Sequence, residues 1–227
     1  MIPEHIYMTD LGKMAYVAVY LPLVLGLFWW LYRKFKSAWP LLIALALVLL
    51  TLPFWDVYMI GRDAGRLCKE QGGLHVYKTV EAEGIASFGS EYWLLYGFKY
   101  VEHAGIGPDK YLKKYRDTFE DGKIISKEIP EITVNFDSKT GDNHKVITKR
   151  ISRSSEQTVD LKGDEILGEL VTFNIHPGRF DGILLKLMGS GPVVWHCGDK
   201  SATGEKLNYR DLVKSTIKPV NKKGGGQ

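Results

Sequence analysis

"MAYVAVYLPLVLGLFWWLY", Met14 to Tyr32, runs nineteen residues without a charge, and "AWPLLIALALVLLTLPFW", Ala38 to Trp55, runs eighteen more. An α-helix rises about 1.5 Å per residue, so roughly twenty apolar residues cross the hydrocarbon core of a bilayer. Flanking aromatics complete each run. Trp29, Trp30, Tyr32 and Trp39 gather at one end of the pair, and Tyr16, Tyr20, Trp55 and Tyr58 at the other. Amphipathic rings take such positions at headgroup depth. The short link "RKFKS" turns the chain back. The pattern predicts a transmembrane hairpin over 14–60, with spans of about 14–32 and 38–58, after an N-terminal tail of residues 1–13. Pro22 and Pro53 fit such helices if neighbouring groups take up the carbonyls they free.

The first run lacks the signature of a cleaved leader. Glu4 and Asp10 outweigh Lys13 ahead of it, and it ends in "WWLYRKFK" rather than in small residues. It is therefore expected to stay in the mature chain. Arg33, Lys34 and Lys36 in the link exceed the single Lys13 of the tail, which places the link in the cytoplasm and both termini outside. Arg62, Arg66 and Lys69 pull the other way, but long domains translocate with less regard to charge. The thiols add to this orientation. Cys68 and Cys197 are the two cysteines of the chain, and an even pair in an oxidising compartment suits one disulfide. The same two could also be unrelated buried thiols.

Beyond Ile60 the composition changes. Twenty-six basic and twenty-three acidic side chains are evenly mixed there, without the concentrated basic stripe of a nucleic-acid binder. Turn chemistry dominates: "EDGK" at Asp121-Gly122, "DSKTGDN" from Asp137 and "LKGDE" from Leu161. Between the turns lie "LHVYKTV", "KIISKEI", "EITVNF", "KVITKRI", "QTVDL" and "EILGELVTFNI", several with the period-two alternation of strands. "YWLLYGFKYV" and "KYLKKYRDTFE" fit either helix or strand. "RDAGRLCKEQGG" reads as a continuation of the second helix, stopped at Gly72-Gly73. "LNYRDLVKSTI" reads as a short helix. The expected fold is α+β: a hairpin followed by a mainly antiparallel β domain of six to nine strands outside the cytoplasm, over 61–213. A flexible tail, 214–227, is expected to follow.

"LCKEQGGLHVYKTV" (Leu67 to Val80) has a Cys-x-x-x-Gly-Gly-x-x-Val-Tyr-x-Thr-Val pattern. It resembles a stretch of small uncharacterised two-span bacterial inner-membrane proteins. "DEILGELVTFNIHPGRFDGILLKL", followed by a cysteine, is similar to the ends of such chains. The resemblance covers about a third of the sequence and implies an inner-membrane location. It implies no activity, and no site residue follows from it.

Motifs for chemistry are sparse. "GIGPDK" and "GSGPVV" lack the Gly-Lys-Ser/Thr of a phosphate loop, and Ser190 lacks the Gly-x-Ser-x-Gly of a nucleophile elbow. No Cys-x-x-Cys or His-x-x-x-His spacing supports a metal, so neither metal nor cofactor is expected. His103 adjoins Glu102, but neighbouring strand residues face opposite ways. "FDGILLKLMG" is the conspicuous apolar cluster after the spans. Ile183, Leu184, Leu187 and Met188 would line one face of a short helix that packs on the sheet, lies on the bilayer or meets another protein. Asp56, at the outer edge of the second span, reads as an interfacial residue or as a partner for a cation on another helix. These features suit a non-catalytic accessory or assembly subunit of a bacterial envelope complex, with the bilayer and a larger membrane protein as partners. A ligand-binding or sensor module is the alternative. A membrane-tethered hydrolase is a third reading, requiring polar groups to converge on His176 or His196.

Overall fold

The computed structural model describes residues 7–106, 112–139, 145–191, 193–201 and 203–220. The chain divides into two compact units, one of Met1–Gly72, His144–Arg153 and Thr172–Gly198, the other of Gly73–Asn143, Ser154–Val171 and Asp199–Gln227. Tyr111, most of "DSKTGDN" and the end of "GIGPDK" fall outside the described residues, as do residues 221–227.

The first unit begins with a capped helix. The Thr9 hydroxyl accepts the Gly12 N–H at 3.0 Å, satisfying one of the free donors of a first turn. α1 (Asp10–Ala15) passes through a π segment (Tyr16–Tyr20) into α2 (Leu21–Lys34). Within the π segment, just ahead of Pro22, the Leu21 N–H reaches back five residues to Tyr16. A 3-10 turn, Lys36–Ala38, reverses the chain into the 33-residue α3 (Trp39–Gln71), which contains Pro53. Proline has no N–H for the carbonyl four residues back, and its ring crowds that turn. Tyr20 Oη donates to the Leu49 carbonyl at 2.7 Å, and Tyr16 Oη to that of Leu50 at 3.0 Å. The Tyr20 hydroxyl of the facing helix thus takes up the Leu49 carbonyl that Pro53 leaves free, and Tyr16 adds a bond to the next carbonyl along. Gly72 ends α3, its N–H on the Cys68 carbonyl.

Both helices are long and apolar enough to cross a membrane, at 25 and 36 residues with the 3-10 turn included. Their side chains lie open: in the most apolar window of each, 6% and 11% of residues are buried. Leu23, Trp29, Leu41, Leu47 and Trp55 all expose more than half of their surface.

The strands are β1 (Gly73–Val76), β2 (Val80–Ala82), β3 (Gly84–Ala86), β4 (Tyr100–Ile106), β5 (Leu112–Glu120), β6 (Lys123–Ile129), β7 (Phe136–Lys139), β8 (Lys145–Thr148), β9 (Ile151–Asp160), β10 (Glu165–Ile175), β11 (Trp195–Cys197) and β12 (Ile217–Pro219). Ten form one sheet in the order β1-β10-β9-β7-β3-β4-β5-β6, with β11 on β10 and β8 on β9. It is largely antiparallel, as expected, but mixed, because β3 runs parallel to both β4 and β7. Parallel neighbours need a crossover, and α4 (Ser90–Tyr96) supplies it between β3 and β4. "YWLLYGFKYV" is therefore part helix and part strand. "KYLKKYRDTFE" is strand from Leu112 onward. β2 and β12 form a separate parallel pair.

Local hydrogen bonds explain where the strands depart from expectation. Asp121 and Gly122, at φ 51° and 76°, make the two-residue hairpin between β5 and β6 that an Asp-Gly pair predicts. "LHVYKTV" breaks after Val76, since the Tyr77 and Lys78 N–H groups both turn to the Leu167 carbonyl at 2.9 Å. "KVITKRI" breaks at Lys149-Arg150, where Thr148 Oγ1 accepts from Arg150 N and Ile151 N. "EITVNF" reaches a strand only at Phe136, because the Thr133 and Val134 N–H groups serve the Glu102 carboxylate instead.

The second unit has its own core of Ile85, Trp93, Phe98, Val101, Leu167, Val213 and Ile217. Trp93 Nε1 donates to Tyr209 Oη at 3.0 Å, so this large ring is buried with its polar atom satisfied. α6 (Tyr209–Thr216) starts with a capping box of Asn208 and Asp211. Order continues beyond 213, where a flexible tail was expected. Thr216 and Ile217 are fully buried and Ile217–Pro219 pairs with β2.

Candidate functional site

The site of interest lies in the first unit, where the hairpin meets α5 (Arg179–Leu187). Pro177-Gly178 opens this helix, and its first N–H groups need acceptors. Asp56 of α3 provides one: its Oδ2 accepts the Arg179 N–H at 2.5 Å. A Cβ at Gly178 would come within 2.9 Å of both Asp56 Oδ1 and Val57 Cγ2, so the close approach depends on glycine. Asp181, one turn in, is fully buried. It accepts the Thr9 N–H at 2.6 Å and the Thr9 hydroxyl at 2.5 Å. Gly12 packs against the same carboxylate, and a Cβ there would meet Asp181 Oδ1 at 2.5 Å. Phe180 stands edge-on to Tyr20, ring centroids 5.6 Å apart. α5 is therefore fastened to both hairpin helices by one carboxylate on α3 and one of its own.

Cys68, near the end of α3, is bonded to Cys197 of β11, with Cα atoms 5.8 Å apart. β11 is held in turn by β10, Phe173 opposite Cys197. The bridge closes a separation of 129 residues, worth about 4–5 kcal/mol on a chain-entropy account. The expected pairing of the two thiols is present.

The apolar residues expected to line one face of α5 divide. Ile183, Leu187 and Met188 are 61%, 77% and 67% exposed. Leu184 is half-buried, and Leu185 is the buried leucine of the helix. Asp56 receives the backbone N–H of Arg179 at the start of this helix. Thr9 and Asp181 were missed by sequence reasoning. The Thr-Asp-x-Gly start of α1 carries a capping signal, but nothing local reveals a partner 172 residues away.

Two polar clusters occupy the second unit. Glu102 is fully buried. Arg116 donates to its Oε1 through Nε at 2.8 Å and Nη2 at 2.5 Å, and the Thr133 and Val134 N–H groups reach its Oε2 at 2.6 and 3.0 Å. Burial is the largest single influence and pushes its pKa upward. The hydrogen bonds from Thr133, Arg116 and Val134 together outweigh burial and hold it below the usual carboxylate range. The result is a charged, fully bonded carboxylate that pins the segment before β7.

On the opposite face of the sheet, Asp117 of β5 accepts from Ser126 Oγ at 2.5 Å and lies 3.0 Å from Nε2 of His103 on β4. Burial raises its pKa most, yet the bonds from Ser126 and Ser90 and the nearby His103 bring it below normal. Serine, histidine and aspartate are the parts of a nucleophilic triad, but the order differs. In a triad the imidazole stands between hydroxyl and carboxylate. Here the carboxylate stands between, so Ser126 gives its proton to a structural bond and gains no base. His196 Nδ1 lies 2.7 Å from Asn174 Oδ1, an amide. His176 is half-buried and donates its backbone N–H to the Arg150 carbonyl. These contacts join strands and turns.

Comparison with family models, curated proteins and solved structures finds no match to this chain. The functional reading rests on its own geometry.

Proposed function

We propose that this chain is a non-catalytic accessory or assembly subunit of a bacterial envelope complex, anchored in the inner membrane by its hairpin, with both termini and the β-rich part on the outer side. The observation that carries the reading is the nearly unburied apolar surface of α2 and α3. Water would strongly disfavour so much contiguous apolar surface, so lipid or the helices of a partner must cover it. Two helices enclose no pathway of their own, which favours a supporting role beside a larger protein. The Cys68–Cys197 bridge supports an oxidising compartment for the residues after α3. The cations of Arg33, Lys34 and Lys36 support a cytoplasmic link. The Glu102 and Asp117 carboxylates beyond the hairpin are hydrogen-bonded within the chain, consistent with a fold that presents surface rather than performs chemistry.

Extraction of the tagged chain from native membranes in a mild detergent tests this. Photo-crosslinkers at Leu25, Leu47 and Leu52, all exposed on the hairpin, should capture one larger membrane protein that co-purifies in fixed proportion. A single monodisperse species whose crosslinks reach only lipid would overturn the reading.

A further inference from the structure

We infer that α5 is an interfacial helix, which rests its outward apolar side chains in the outer leaflet and binds anionic phospholipid headgroups with the cations beside them. The inference builds on the membrane-anchored reading above and adds a second, lipid-specific contact to it.

The depth of the helix is the first argument. From Trp39 to Asp56 α3 covers about 26 Å, close to the roughly 30 Å of a hydrocarbon core. Trp39 belongs to the aromatic group at the link, so Asp56 falls at the opposite headgroup level, among Tyr16, Phe54, Trp55 and Tyr58. Asp56 is the residue that holds the first N–H of α5, and Tyr20 meets Phe180 nearby. The attachment through Thr9 and Asp181 fixes the helix there.

The second argument is how its faces are divided. Asp181 and Leu185, one turn apart, point inward and are buried. Ile183 and Leu187, also one turn apart, point outward and are open. Arg179 and Lys186 are exposed alongside them. Apolar residues flanked by long cationic ones suit the boundary between acyl chains and phosphates, where such side chains can snorkel. Arg150 adds a third cation, its Nη1 3.7 Å from where a Cβ on Gly182 would stand, and Lys149 precedes it in an exposed turn. None of these four enters the ion pairs formed among the described residues. Unpaired cations at headgroup depth complement anionic lipid.

Because both native thiols are bridged, Ile183→Cys, Leu187→Cys and Val48→Cys each offer one thiol for a bimane label. The full chain is reconstituted in phosphatidylcholine vesicles, with or without phosphatidylglycerol, using plain or chain-brominated lipid. Labels at 183 and 187 should lose fluorescence to brominated lipid as the hairpin label at 48 does. Phosphatidylglycerol should increase the loss at 187, and the Arg179→Glu/Lys186→Glu variant should cancel that increase. Quenching at 48 without quenching at 183 and 187 overturns the inference and leaves the anchor standing. Absence of quenching at 48 overturns both. Equal quenching with and without phosphatidylglycerol overturns the anionic preference.

Discussion

The Tyr20 hydroxyl donates to Leu49, the carbonyl that Pro53 leaves without its helical N–H. In the proposed membrane setting no water would reach such a group, and the facing helix satisfies it. Tyr20→Phe should destabilise the hairpin in vesicles or bicelles by about 0.5–1.5 kcal/mol. Pro53→Ala restores the N–H, and in that background Tyr20→Phe should cost less. A double-mutant cycle, read by reversible detergent unfolding, measures the difference. Equal losses in both backgrounds would show that the hydroxyl and the proline are uncoupled.

Asp181 offers a harsher test. Its carboxylate is buried and holds both donors of Thr9, the N–H and the hydroxyl. Asp181→Ala should lower stability by about 2–3 kcal/mol, since the Thr9 N–H is left inside without an acceptor. Thr9→Val, which keeps the backbone donor, should cost less. Gly12→Ala should also destabilise, because the new methyl group would contact Asp181 Oδ1. Thermal unfolding of the detergent-solubilised chain ranks the three, and protease cleavage ahead of α1 should increase in the same order.

How much of this was legible depended on the range of the interactions. The two long apolar helices were legible, because their uncharged runs are local features of the sequence. So was the Asp121-Gly122 turn, whose two residues take the required positive φ themselves. α4 was not: "YWLLY" is apolar enough for either form. Its state is set by Gly89 and Gly97 at φ 75° and 122° on its flanks and by the burial of Trp93 against β-strand residues distant in sequence. The apolar content of α5 was legible, but its inward face was not, because Thr9 selects Asp181 and thereby Leu185. "EITVNF" alternates like a strand, yet Glu102 diverts its N–H groups from about thirty residues upstream.

The disulfide predicts both topology and stability. In spheroplasts, a reductant that does not cross the inner membrane should make Cys68 and Cys197 reactive toward an impermeant maleimide, and neither should react before reduction. Mass spectrometry of the labelled peptides provides the check. Labelling only after the membrane is broken would place the bridge on the cytoplasmic side and reverse the proposed orientation. Cys68→Ser/Cys197→Ser should lower stability by up to about 4–5 kcal/mol, with the separation between α3 and β11 no longer closed.

Two glutamates should give the chain opposite responses to pH. Glu102 has its pKa lowered from the ordinary 4.5, so the folded state holds its proton less tightly than the unfolded chain. Its stabilisation is complete above pH 4.5 and is lost as pH falls through the lowered value. Glu102→Gln should therefore destabilise near neutrality by about 3 kcal/mol, at the low end for a broken buried pair because Arg116 keeps part of its side chain in water. The deficit should narrow in acid. Glu156 is reversed. Burial raises its pKa from 4.5, and its Oε2 is buried without a hydrogen-bond partner among the described residues. Its ionisation penalises the fold as pH rises from 4.5 through the raised value, and the penalty then stays constant. Glu156→Gln should be more stable than the parent at neutral pH and lose that advantage below pH 4.5. Unfolding curves for both variants at pH 4 and pH 7 separate the two effects, and slopes of the same sign would contradict the assignment.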